Sequence, residues 1–201
     1  MDSTMISGLV GCGGTLLGAL LGACIGGYYN KMSAEKAIQA QMNILRQQEI
    51  IELQKEEEFV RLSAEAVFLD LSTAMLEGFN RLKGHEMMSI GATPLPLPIN
   101  PQYAEAVAAL RVILTPDESL AINRVYGLLH KIQRDIENSN YITSTFREVE
   151  FGYTALEVIL FRESYPEIMK LDIDHITIDF LLDKLDVKYL VIRRLKEIAT
   201  W

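Results

Sequence analysis

The chain of 201 residues is long enough for one compact domain plus an attached segment. It is acidic, with 19 Lys and Arg against 27 Asp and Glu and a formal net charge of −8 at pH 7. Every basic residue follows residue 30, as does every acid except Asp2, so the later part carries −7, which argues against general nucleic-acid binding.

Residues 5–29, MISGLVGCGGTLLGALLGACIGGYY, contain no charge. A helix crossing a hydrocarbon core needs about 20 apolar residues, so this run predicts a single transmembrane anchor over residues 1–30. Gly14, Gly18, Gly22 and Gly26 recur at every fourth position and would draw a side-chain-free groove along one helical face. That groove predicts homo-oligomers through the helix, with a plain, glycine-tolerant anchor as the bland alternative. Lys31, Lys36 and Arg46 follow the run and none precedes it, so the positive-inside rule predicts an inner-membrane protein with its N-terminus outside and its body cytoplasmic. Tyr28, Tyr29 and Lys31 would then mark the headgroup level. Leu9–Cys12 and Leu21–Cys24 each resemble the lipobox of acylated bacterial lipoproteins, which gives a second localisation. Cys12 and Cys24 are the two cysteines, and a later part without thiols suits a reducing compartment.

Residues 31–58 hold no Pro or Gly and consist mostly of good helix formers, predicting a polar helical stalk continuous with the anchor. Ile38 and Leu45 are one heptad apart, as are Ile44 and Ile51, but Glu52 and Glu58 interrupt both repeats. From Phe59 the apolar positions Leu62, Ala66, Leu69, Met75, Leu76, Phe79 and Leu82 predict a helix with one face in a core. The stretch 91–101 carries Pro94, Pro96, Pro98 and Pro101, which exclude helix and read as a hinge, or as a docking ligand.

Asn100-Pro101 predicts the next helix start, with Tyr103, Val107, Leu110 and Leu114 in its stripe. Thr115 and Glu118 form a capping-box pattern ahead of Ala121, Val125, Leu128, Ile132 and Ile136. A further helix begins near Thr143, with Phe146, Val149, Tyr153, Leu156 and Leu160 inward. Shorter helices are expected over 166–172, over 175–185 behind Asp174, and over 187–199 with Val187, Val191, Leu195 and Ile198 in one row. The predicted fold is all-α: glycine-zipper transmembrane helix, helical stalk, and a cytoplasmic helical bundle over 59–201.

No Walker loop, GxSxG elbow, HExxH or CxxC occurs, and His85, His130 and His175 stand in no recognised spacing with a nucleophile. Asp172, Asp174, His175, Asp179 and Asp183 gather acids near one helix, but an acidic helix start complementing its dipole explains them, so no metal or cofactor is expected. The C-terminal string from Ile176 to Ile198 resembles the second and third helices of bacterial helix-turn-helix DNA-binding domains. That resemblance implies nucleic-acid or partner contacts by Lys188, Arg193, Arg194 and Lys196; two bundle helices joined by a short turn give the same string.

The function expected from these features is a non-enzymatic, membrane-anchored adaptor or scaffold. It would self-associate and present its helical domain to a cytoplasmic protein. An oligomeric pore-forming effector of toxin or antiphage type, and a membrane-tethered DNA-binding regulator, are the alternatives.

Overall fold

In the computed structural model residues 3–83, 97–138 and 143–200 are described, with side chains at 18, 21–83, 97–138 and 147–200. Every regular element among them is a helix: α1 (Ser3–Lys83), α2 (Tyr103–Ala109), α3 (Pro116–Glu137), α4 (Thr143–Phe161), α5 (Tyr165–Ile168), α6 (Ile178–Asp183) and α7 (Val191–Ala199), with short 3₁₀ turns between several of them. The chain divides into two units, Met1–Lys55 and Glu56–Trp201, and the division falls inside α1.

The expectation of an inner-membrane protein is corrected at this point. Among the described residues no helix is long and apolar enough to cross a membrane. Among the described residues the charge-free run gives way at Lys31, with Glu35 and Lys36 within two turns. The side chains of the earlier part of 5–29, with Gly14 and Cys12, lie outside the described residues. Leu21–Cys24, the second lipobox-like string, sits within α1, where Cys24 is an exposed free thiol. The transmembrane anchor, the cytoplasmic placement, the acylated-lipoprotein alternative and the pore that needed a span are therefore not carried forward.

Unit Glu56–Trp201 has its own core. Along α1 the buried positions are Ser63, Ala64, Val67, Asp70, Leu71, Ser72, Ala74, Met75, Gly78 and Phe79, built on a three-four repeat. The expected stripe lies partly on the other side of the helix: Met75 and Phe79 are buried, whereas Phe59, Leu62 and Leu69 are 56%, 47% and 62% exposed. Small residues mark the true inward face because neighbouring helices approach it closely. At Gly78 an added Cβ would overlap the Glu157 carboxyl of α4, and at Gly152 it would lie 2.7 Å from Ile132 Cγ1 of α3.

The start of α3 follows its sequence signature. Glu118 N donates to Thr115 Oγ1 at 3.2 Å, Thr115 N donates to Glu118 Oε2 at 2.7 Å, and Pro116 opens the first turn. Thr115→Ala is expected to lower stability by about 1 kcal/mol, read as a drop in the thermal midpoint. On α3 the expected Val125, Ile132 and Ile136 are buried and are joined by Ile122, Tyr126 and Leu129, while the expected Ala121 and Leu128 pack at the edge of this face. It meets Val149, Tyr153, Leu156 and Leu160 of α4. The Phe146 side chain lies outside the described residues.

Three boundaries move for local reasons. Asn100 Oδ1 accepts from Gln102 N at 2.8 Å, an Asx turn that delays α2 to Tyr103. Thr177, not Asp174, caps α6, its Oγ1 accepting from Phe180 N at 3.2 Å. Asp186 caps a 3₁₀ turn at Val187–Tyr189 before α7 begins at Val191, and this leaves Val187 80% exposed, outside the inward row.

Candidate interaction surface

From Leu21 to Phe59 every side chain of α1 is exposed. The stretch carries Leu21, Ile25, Ile38, Met42, Ile44, Leu45, Ile50, Ile51 and Leu53, each between 48% and 61% exposed. Single exposed apolar residues are ordinary; this stretch carries nine, interspersed with polar residues, on a helix that nothing among the described residues covers. An isolated helix in water is only marginally stable, and its stability usually comes from packing an apolar face. The helical propensity of residues 31–58 explains why the backbone winds; it does not explain the density of Ile, Leu and Met on the outside.

The expected oligomerisation glycines fall in the same helix. An added Cβ at Gly18, Gly22 or Gly26 meets nothing within 4 Å, so no packing among the described residues requires glycine there. Tyr28 and Tyr29 are exposed, with their rings edge-on at 6.3 Å. Lys31 pairs with Glu35 at 4.0 Å on the water-facing surface.

The four C-terminal basic residues are placed differently from what the helix-turn-helix resemblance implies. Arg194 Nη1 donates to both Glu118 carboxylate oxygens at 2.8 and 2.9 Å, and its Nη2 donates to Ile113 O at 2.9 Å. This fork ties α7 to the capped end of α3. The Thr115 and Arg194 hydrogen bonds hold the Glu118 carboxyl below its ordinary range, against a desolvation that pushes it up. Lys196 donates to Asp179 Oδ1 at 2.5 Å, and Arg193 lies 3.9 Å from Asp183 and 3.8 Å from Glu197. Lys188 borders a cavity of about 260 Å³ with Val187, Leu190 and Arg193. Three of the four cations thus serve ion pairs within the bundle, where sequence reasoning saw only charge.

Two buried acids escaped sequence reasoning. Asp70 of α1 accepts from Tyr126 OH at 2.9 Å and from Asn100 N at 3.0 Å, and Tyr103 stacks on Tyr126 with ring centroids 4.4 Å apart. Burial pushes the Asp70 carboxyl up, and these two hydrogen bonds pull it part of the way back. Glu157 of α4 is fully buried against α1, and neither of its carboxylate oxygens finds a hydrogen-bond partner among the described residues. Burial pushes this carboxyl well above the ordinary range. Both had a signal in the sequence, since each lies three or four residues from apolar positions on the inward face. Among the described residues no group of three or more His, Cys, Asp or Glu is arranged to hold a metal ion, and the Asp172–Asp183 acids do not converge. Comparison of the chain with protein-family models, with curated proteins and with solved structures returns no match.

Proposed function

We propose that this protein is a non-enzymatic scaffold that associates with itself through α1 and presents the helical unit Glu56–Trp201 to a protein partner. The observation that carries this reading is the run of exposed Ile, Leu and Met from Leu21 to Leu53 on a helix whose later part, from Glu56, belongs to a unit with a core of its own. A unit that folds on its own core leaves those side chains available for assembly. The alternative of a regulator reading DNA through Lys188, Arg193, Arg194 and Lys196 is less well supported, because Arg193, Arg194 and Lys196 already face carboxylates.

Sedimentation of the full chain over a range of concentrations tests the scaffold. The native chain is expected to show a mass that rises with concentration. Leu45→Asp with Ile51→Asp is expected to shift it to monomer while leaving the thermal unfolding of the C-terminal unit unchanged, since both positions lie outside its core. A native chain that remains monomeric at every concentration would overturn the reading.

A further inference from the structure

Glu157 of α4 is closed off from solvent, with no hydrogen-bond partner for either oxygen among the described residues. Its carboxyl lies against Gly78 of α1, where an added Cβ would overlap Oε1. Arg81 follows Gly78 by three residues and stands about 60° from it around α1, so the two share a face. The Arg81 side chain is only 12% exposed, and its Nε donates to Glu77 Oε1 at 2.7 Å. Its guanidinium lies 5.7 Å from the centroid of the Tyr153 ring, and Tyr153 precedes Glu157 by one turn of α4. Arg81 therefore already reaches α4, one turn short of the unpartnered carboxyl. The other ionisable groups around the seam are engaged elsewhere. Lys83, about 140° around α1 from Gly78, donates to the Met169 and Leu171 carbonyls. Arg162, on the turn that follows α4, pairs with Asp186 at 3.4 Å. From α5, the Tyr165 hydroxyl bonds Thr154. From α3, Tyr126 donates to Asp70 at 2.9 Å, and the His130 ring lies 4.8 Å from that of Tyr103.

Magnitudes decide which carboxyl Arg81 serves in each protonation state. A carboxylate buried alone costs far more than a partly exposed Arg–Glu pair contributes. Glu77 has a side chain 34% exposed and can turn to water when its partner leaves; Glu157, at 0%, cannot. While Glu157 is neutral it is the weaker acceptor, and Arg81 stays with Glu77. Once Glu157 is charged, the exchange removes the larger penalty. We infer that Arg81 switches between two carboxyls, pairing with Glu77 while Glu157 holds its proton and crossing to Glu157 when that proton is lost to solvent. The exchange changes the surface of α1, because Glu77 is shielded by Arg81 in the first arrangement and is a bare carboxylate in the second. Burial raises the Glu157 carboxyl, which places the exchange on the alkaline side of the ordinary carboxylate range.

Carbon-detected NMR of the full chain, following the Arg81 guanidinium and the Glu157 carboxyl from about pH 5 to about pH 11, tests the switch. The two resonances are expected to shift with one common midpoint. In Glu157→Gln the Arg81 resonance is expected to stay flat over the same range. Arg81→Met is expected to raise the Glu157 midpoint by about one pH unit or more, and Glu77→Gln, which removes the rival carboxyl, to lower it by a similar amount. These four results together support the inference. An Arg81 resonance that stays still while Glu157 titrates means that Arg81 only braces the helix, and overturns it. An Arg81 shift that persists in Glu157→Gln overturns it as well, as does a Glu157 that keeps its proton until the unit unfolds.

Discussion

Glu157→Gln is expected to raise the thermal midpoint of unit Glu56–Trp201 at pH 8 and to change it little at pH 4. The carboxyl is fully buried between α4 and α1 with no hydrogen-bond partner for either oxygen among the described residues, so its charged form is strongly disfavoured in the folded state. A carboxyl whose folded pKa lies above its unfolded one contributes stability fully below the unfolded value, which is about 4.3. That contribution is lost as pH rises toward and through the folded value. The titratable groups coupled to it are Tyr153 on α4 and Tyr165 on α5, and Tyr153 is in turn flanked by Glu77 and Arg81 of α1. Arg81 is held by Glu77 at 2.7 Å and lies 5.7 Å over the Tyr153 ring. Burial pushes the Tyr153 phenol up to about 12, and burial also raises that of Tyr165. Gln removes the titration but keeps a polar group. Glu157→Met also removes the unsatisfied oxygens and is expected to add about 1–3 kcal/mol. Superimposable curves of midpoint against pH for the native chain and Glu157→Gln would sink this account.

The same seam predicts the response of Gly78. A Cβ there would overlap Glu157 Oε1, lying 3.1 Å from its Cδ and 3.3 Å from Tyr153 Cδ1. Gly78→Ala is expected to cost about 1–3 kcal/mol by overpacking. Most of that loss should disappear in a Glu157→Ala background, where the carboxyl is gone. The use of this glycine is the close approach of two helices.

What was legible in the sequence and what was not separate along physical lines. The helices and the α3 cap were legible, because Thr115, Pro116 and Glu118 carry their instruction within four residues and the apolar spacing excludes strands. The phase of α1 was not. Large residues such as Phe59, Leu62 and Leu69 drew the inward face toward themselves, while the packed face sets the small Ser63, Ala64, Ala74 and Gly78 among Val67, Leu71, Met75 and Phe79. Periodicity weights hydrophobicity and is blind to the closeness that small residues permit. The membrane reading rested on the absence of charge over residues 5–29, and it is overturned because no helix among the described residues is long and apolar enough to cross a membrane. The C-terminal cations were legible as charge but not as partners, since Glu118 is far from Arg194 in sequence and meets it only through the fold.

Asp70→Leu is expected to destabilise the C-terminal unit by about 3 kcal/mol, and more than Tyr126→Phe does. One carboxylate oxygen receives both the Tyr126 hydroxyl and the Asn100 amide, so losing it leaves two donors unpaired at a site only 7% exposed. Tyr126→Phe removes one donor and leaves the carboxylate with the other, a loss of about 1 kcal/mol. The double variant is expected to cost less than the sum, with a coupling of about 1–2 kcal/mol, because the hydroxyl no longer waits for an acceptor. Location gives a second readout. Asn100 belongs to the segment that brings the chain back onto the bundle, where Leu97 N also donates to Gln133 Oε1 at 2.8 Å. Hydrogen exchange at the Asn100 amide is therefore expected to accelerate in Asp70→Leu and to stay slow in Tyr126→Phe, where its acceptor survives. Equal exchange in the two variants would mean that the carboxylate does not hold this segment. Asp70 would then be a buried acid tolerated by the core, and the attachment of residues 97–100 would rest on the Gln133 hydrogen bond and the burial of Leu97.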